Sequence, residues 1–163
     1  MTANFDQILP LLATHGVRFI LIGGGAAIAH GSARSTQDVD VVYARDDANI
    51  RALAECLQPV VPRLRGAPEG LPFFWDEATI RNGLNFTLAT DVGDLDLLGE
   101  VAGNGTYESL LRDSAEIEIF GTRCRCVTLS RLIQLKQAAG RPRDLEAIAE
   151  LQALAEESEE GRA

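Results

Sequence analysis

Lysine is almost missing from this chain: Lys136 stands alone beside 14 arginines among 15 basic side chains. Acidic groups outnumber them, 24 to 15, for a formal net charge of −9. That balance excludes a protein that coats nucleic acid or an anionic membrane by bulk electrostatics. It leaves room for a local basic patch, for which Arg63, Arg65, Arg123 and Arg125 are available. Histidine is equally scarce, and His15 with His30 cannot build a zinc site. The three cysteines, Cys56, Cys124 and Cys126, are odd in number. No charged, apolar and small-residue leader opens the sequence, so a reducing cytoplasm is expected. No apolar run approaches the length needed to cross a bilayer; Phe19 to Ile22 is typical, and no membrane partner is expected.

What is present suits a folded protein. With 46% hydrophobic residues over 163 positions, the chain can bury a proper core, and its length predicts one domain, placed at 1–155. Positions 156–163 read as an acidic, disordered tail, where Glu156, Glu157, Glu159 and Glu160 face only Arg162. Apolar periodicity predicts a helix from about Asn4 to His15, bent or delayed by Pro10. Val17 to Ile22 reads as a buried strand, Ala26 to His30 as a short helix, and Asp38 to Tyr43 as a second strand. Asp46 is placed to cap a helix reaching Leu57. Four prolines and two glycines between Pro59 and Pro72 predict a long loop, unusual in a compact fold and suggestive of a functional surface. A short helix at 76–81 precedes strands at 85–89 and 95–98, paired antiparallel about a turn. A helix at 106–112, a hairpin of 116–120 with 123–127, and helices at 129–139 and 144–155 complete the order. The fold class expected is α+β: a mixed sheet, helices mainly on one face, and a C-terminal helical pair.

Gly23, Gly24 and Gly25 stand between a predicted strand and a predicted helix. Such a turn either satisfies a demand for positive φ or lets backbone N–H groups face a phosphate. A P-loop is excluded because no lysine follows these glycines, and a dinucleotide fingerprint fails because Ile28 stands where its third glycine belongs. Asp38 and Asp40, two apart on a strand, share a face with about 7 Å of backbone between them. Asp96 lies between Leu95 and Leu97 in another apolar strand, where a carboxylate is hard to explain as surface decoration. If the sheet aligns these strands, the three acids form an oxygen-donor set suited to Mg²⁺, and two such ions can stabilise the attacking and leaving oxygens of a phosphoryl displacement. Asp94 shares the Asp96 face and is the reserve candidate.

The segment Leu21 to Tyr43 resembles the signature of the polymerase-beta-like nucleotidyltransferase superfamily. Ile22, Gly23 and Gly24, then 13 residues, then Asp38, Val39 and Asp40 match its glycine and acid elements, and Leu95, Asp96 and Leu97 match the later one. The spacing of His30, Gly31, Arg34, Thr36 and Asp38, with the later Lys136, Arg141 and Asp144, is most similar to small bacterial members of the abortive-infection and toxin–antitoxin type. Ala147 departs from that pattern, since related chains often carry a second acid there. The resemblance implies a nucleotidyltransferase-like sheet and transfer of a nucleoside monophosphate from an NTP, ATP among them, to an acceptor, with release of pyrophosphate. It implies that Gly23 and Gly24 hold the triphosphate, that Asp38, Asp40 and Asp96 are catalytic and bind Mg²⁺, and that Asp96 also helps activate the acceptor hydroxyl. The acceptor expected first is RNA or a partner protein such as a cognate antitoxin, and the alternative is a small hydroxylated molecule such as an antibiotic. A silent nucleotide- or partner-binding module of the same fold is the further alternative.

Other residues admit two readings each. Arg34, Thr36, Lys136 and Arg141 are candidates to contact phosphate, whereas Arg143 reads as solvated. Asp144 suits an N-cap of the last helix. His30 reads as a helix-terminal or core residue rather than a base, and Cys124 and Cys126 as core. Phe73, Phe74 and Trp75 fill core or stack on an acceptor ring.

Overall fold

A computed structural model describes residues 3–160. In chain order the elements are α1 (Phe5–Thr14), β1 (Phe19–Ile22), α2 (Gly23–Ala29), β2 (Val39–Tyr43), α3 (Asp47–Leu57), a 3₁₀ turn (Gln58–Val60), β3 (Arg63–Leu64), α4 (Glu77–Asn82), β4 (Asn85–Thr90) and β5 (Gly93–Leu98). There follow β6 (Glu100–Val101), β7 (Gly105–Thr106), α5 (Tyr107–Leu111), β8 (Ser114–Ile119), β9 (Thr122–Val127), α6 (Leu129–Ala139) and α7 (Pro142–Glu160). The architecture is the expected α+β, with a mixed seven-stranded sheet ordered β3-β4-β5-β2-β1-β9-β8 and a separate β6-β7 ribbon. Strands β5 and β2 run parallel, as do β1 and β9; the other neighbours in the sheet are antiparallel.

The centre of the sheet is buried on both faces. All four residues of β1 are buried, as is every residue of β2 except Asp40. This is why β1 reads as a continuous apolar run rather than an alternation. Phe5, Ile8, Leu9 and Leu12 form the buried stripe of α1. Their burial on both sides of Pro10 holds the helix together across the lost N–H, so the expected late start does not occur. Asp46 caps α3 as anticipated, accepting from the Asn49 N–H.

Several boundaries move. Helix α2 begins at Gly23 itself, so the glycines form its first turn rather than preceding it. The long loop contains β3, a two-residue edge strand whose Arg63 and Leu64 pair with Ala89 and Leu88. Helix α7 starts at Pro142, a residue preorganised for a first helical position, and continues to Glu160, through most of the segment expected to be a disordered tail. The rest of that tail, 161–163, lies outside the described residues.

Candidate active site

Four neighbouring elements build the site. Register places Asp40 of β2 directly beside Asp96 of β5, and Asp38 stands one residue before β2. Strand packing by Val39, Val41, Leu95 and Leu97, all fully buried or nearly so, fixes both backbones, so the acids are carried on rigid supports. One carboxylate oxygen from each of Asp38, Asp40 and Asp96 lies within 4.8 Å of the others.

The glycine turn closes on this cluster from β1. Gly23 has φ +62°, and a Cβ there would overlap the Asp40 carboxylate. A Cβ on Gly24 would stand 2.5 Å from Thr36 Oγ1. Glycine is thus demanded at both positions by close approach, and at the first also by backbone conformation. Thr36 serves this packing and donates to the Asp38 carbonyl at 3.3 Å.

Three carboxylates at this distance repel. Burial, then the charges of Asp38 and Asp96, push the Asp40 carboxyl up to about 8. Burial and the Asp96 charge also raise Asp38, against the opposing pull of Arg65. Asp40 Oδ1 is buried without a hydrogen-bond partner. An orphaned buried carboxylate oxygen inside an all-oxygen donor set fits a hard divalent cation, which would supply both the missing ligand contact and the missing charge.

Opposite the acids, the α6–α7 elbow presents cations. Gly140, at φ +64°, ends α6 in the left-handed conformation that turns the chain back on itself. Asp144, buried to 2% exposure, accepts from the Arg141 N–H at 3.1 Å and from Arg141 Nε at 2.8 Å, and stands 3.9 Å from Lys136 Nζ. It sits inside the first turn of α7 rather than at its N-cap. Burial pushes its carboxyl up, but the hydrogen bonds from Arg141 and the Lys136 charge outweigh this and hold it below the usual range. Burial lowers Lys136, while Asp144 and Asp40 favour its charged form. Lys136 and Arg141 therefore both feel Asp40, and Asp144 fixes them in place. Lys136→Met is expected to raise the KM for nucleotide about tenfold with a smaller effect on kcat, the signature of lost ground-state binding.

Arg34, expected to contact phosphate, is a half-exposed side chain beside α7. Its guanidinium pairs with Glu146 at 3.3 Å and Glu150 at 3.9 Å, and Ser32 Oγ donates to Glu150 at 2.6 Å, tying the α2–β2 connection to α7. The four arginines of the expected basic patch also have partners in the protein. Arg63 pairs with Asp91 and Arg123 with Glu116, and Arg125 donates to Ser114. Arg65 enters the carboxylate cluster itself, donating through Nη2 to Asp96 Oδ1 at 2.5 Å and to Asp38 Oδ2 at 3.3 Å. Sequence reasoning placed it on the surface because its partners lie 27 and 31 positions away.

The residues read as structural are so. A ring nitrogen of His30 sits 2.8 Å from the Val127 carbonyl, Cys124 and Cys126 are buried, and Arg143 is exposed. Trp75 is a core residue whose Nε1 donates to the Leu53 carbonyl, but Phe74 is 72% exposed. Phe73 lines a cavity of about 480 Å³ walled by 61–71 and floored by Ala89, in which Arg65 is also a lining residue.

No family model matches the chain, and no curated protein matches it by sequence. Solved structures do. A lincosamide antibiotic adenylyltransferase, LnuA, crystallised with lincomycin bound, superposes with a TM-score of 0.60 at 16% identity, over 93% of this chain and 96% of that one. A Thermotoga maritima protein assigned as a nucleotidyltransferase gives 0.56 at 15% identity, over 91% and 90%. A nucleotidyltransferase-like protein of Paracoccidioides brasiliensis gives 0.50 at 17%, over 93% and 76%. These likenesses show the fold: the chain has the nucleotidyltransferase fold.

Proposed function

We propose that this protein is a metal-dependent nucleotidyltransferase that moves a nucleoside monophosphate from an NTP to a small hydroxylated acceptor. The observation that carries the reading is the Asp40–Asp96 register, with Asp38 alongside and Asp40 Oδ1 left without a partner, facing a turn that only glycine can form. Asp38, Asp40 and Asp96 would hold hard divalent cations of the Mg²⁺ class, two by the family pattern, which supply charge neutralisation at the α-phosphate and the departing pyrophosphate. Gly23 and Gly24 bring backbone close to the phosphates, and Lys136 and Arg141 bind the triphosphate from the opposite side. Arg34 and Thr36 support this from a distance: one ties the connection to α7, the other packs on Gly24. Asp96, next to the β4–β3 edge, takes the proton from the acceptor hydroxyl. The acceptor oxygen forms a bond to the α-phosphorus as the bond to the bridging oxygen breaks, and pyrophosphate leaves with that electron pair.

Two features favour a small acceptor over RNA. Of the arginines available for an RNA-binding patch, Arg65 lies among the acids and Arg63 and Arg123 face carboxylates at the surface, and the net charge is negative. The half-open depression of about 480 Å³ beside Arg65, lined by Leu64 and Phe73 but also by Arg63 and Glu69, offers room for a small molecule, with Leu71 and Val61 more than half exposed on its wall. The adenylyltransferase with a similar fold acts on a lincosamide antibiotic, a molecule of this hydroxylated kind. Leu71→Asp is expected to raise the acceptor KM by about tenfold and leave the nucleotide KM unchanged.

Incubation with each α-labelled NTP, Mg²⁺ and a cell extract, followed by fractionation, tests the acceptor class. Label in the small-molecule fraction supports the proposal. Label in RNA or in a protein, the antitoxin type included, overturns the choice of acceptor while keeping the chemistry. No label in any fraction favours a silent nucleotide-binding module.

A further inference from the structure

Arg65 occupies a place that metal binding also requires. Its Nη2 lies 2.5 Å from Asp96 Oδ1 and 3.3 Å from Asp38 Oδ2, and its Nη1 is 3.7 Å from Asp94 Oδ2. These include two of the three acids that would ligate a cation. The remainder of the residue is anchored independently of them. Its backbone N–H donates to the Thr87 carbonyl at 2.9 Å, and Nη1 also donates to the Leu88 carbonyl at 3.1 Å. The side chain is only 28% exposed, so the ion pair is shielded and well formed, unlike the open surface pairs elsewhere.

Arg65 is also part of the wall of the cavity, where the chain leaves β3 for the glycine-bounded stretch. Gly66 and Gly70, at φ +82° and +80° with no neighbour near a Cβ, flank a stretch that makes few internal backbone bonds, those of Ala67 to Leu64 and Leu71 to Pro68 among them. Little beyond Arg65 links this stretch to the carboxylates.

We propose that Arg65 is a displaceable resident cation: it neutralises Asp38 and Asp96 until a divalent metal takes those oxygens, and its release loosens the 66–71 part of the acceptor-cavity wall, residues 63–65 staying paired to β4. The inference rests on the metal-binding reading above. It makes the acceptor side of the site responsive to the metal side, so that the cavity wall changes state when the donor site is loaded. Asp40 contributes a buried oxygen that Arg65 does not reach, and this oxygen is open to a metal while Arg65 still holds the other two acids.

Mn²⁺ without nucleotide is the probe. Titration followed by electron paramagnetic resonance is expected to show Arg65→Gln binding Mn²⁺ roughly tenfold more tightly than the unaltered protein, since a charged hydrogen-bonded competitor is gone. Equal or weaker binding by Arg65→Gln overturns the proposal, because it makes Arg65 a support for the acids rather than their rival. A second measurement needs no variant: brief trypsin digestion of the unaltered protein is expected to cut the Arg65–Gly66 bond several-fold faster with saturating Mn²⁺. Protection or no change at that bond overturns the release of the wall. Absence of Mn²⁺ uptake by both proteins overturns the metal reading itself, an outcome separable from equal uptake by both.

Discussion

Asp40→Asn is expected to remove nucleotide transfer almost completely, by about 10³-fold or more, while making the metal-free protein more stable at alkaline pH. The loss of activity follows from the position of Asp40 beside Asp96 and against Gly23: of the three acids it is the one with a buried oxygen that no protein group satisfies. Loss of outer partners of a metal site costs about 10–100-fold, and loss of a ligand that also sets the charge of the reaction centre costs more. The gain in stability follows from its titration. In the folded protein the carboxyl titrates at about 8, against an ordinary 3.8, so the folded state retains a proton that the unfolded chain loses between those values. The contribution is therefore fully present below about pH 3.8 and is lost as pH rises towards about 8. Asparagine has no such loss. The Tm advantage of Asp40→Asn should be largest above about pH 8 and vanish near pH 3.8. In a chain of this size each 1 kcal/mol moves Tm by about 2–4 °C. Metal narrows the gap, since Mg²⁺ at about 100 times its Kd adds roughly 2.7 kcal/mol to the unaltered protein alone. Melting curves with Mg²⁺ and with chelator read both effects. A variant less stable than the parent at alkaline pH without metal contradicts the electrostatic cause.

Gly23→Ala is expected to cost both stability and metal binding. A left-handed backbone at a residue with a side chain costs about 1–2 kcal/mol, and the added Cβ must also displace Asp40. Gly16→Ala separates these causes, because Gly16 has a similar φ of +69° with nothing within 4 Å of its would-be Cβ. Gly16→Ala should lower Tm by several degrees and leave Mn²⁺ affinity unchanged. Gly23→Ala should lower Tm by more and weaken Mn²⁺ binding at least tenfold. Equal Mn²⁺ affinity in the two variants would show that the glycine turn does not set the position of Asp40.

The acids were readable because a strand alternates: Asp38 and Asp40 share a face by simple period, and Asp96 points to the face opposite the buried Leu95 and Leu97. Their convergence followed once β2 and β5 were aligned, which their apolar residues enforce. Arg65 was not readable as their partner. It follows a two-residue edge strand inside a proline-rich stretch, and so short a strand has no periodicity; only its pairing with β4 brings the guanidinium to the acids. The same physics explains Arg34. Its spacing before Asp38 suggested phosphate, but Glu146 and Glu150, one turn apart on α7, offer a nearer pair of charges that becomes visible only when the last helix is docked. Asp144 looked like a cap because it opens a helix; burial turned it into the anchor of Lys136 and Arg141. The extension of α7 through Glu160 was hidden by its run of glutamates, which reads as a solvated tail yet consists of good helix formers.

Calorimetric titration of NTP into the protein, with Mg²⁺ and then with chelator, and repeated on Asp40→Asn, tests most directly whether these aspartates form a metal–nucleotide site. Nucleotide binding that requires Mg²⁺ and disappears in the variant is the predicted result; affinity that is the same with chelator, or that survives in Asp40→Asn, would contradict it.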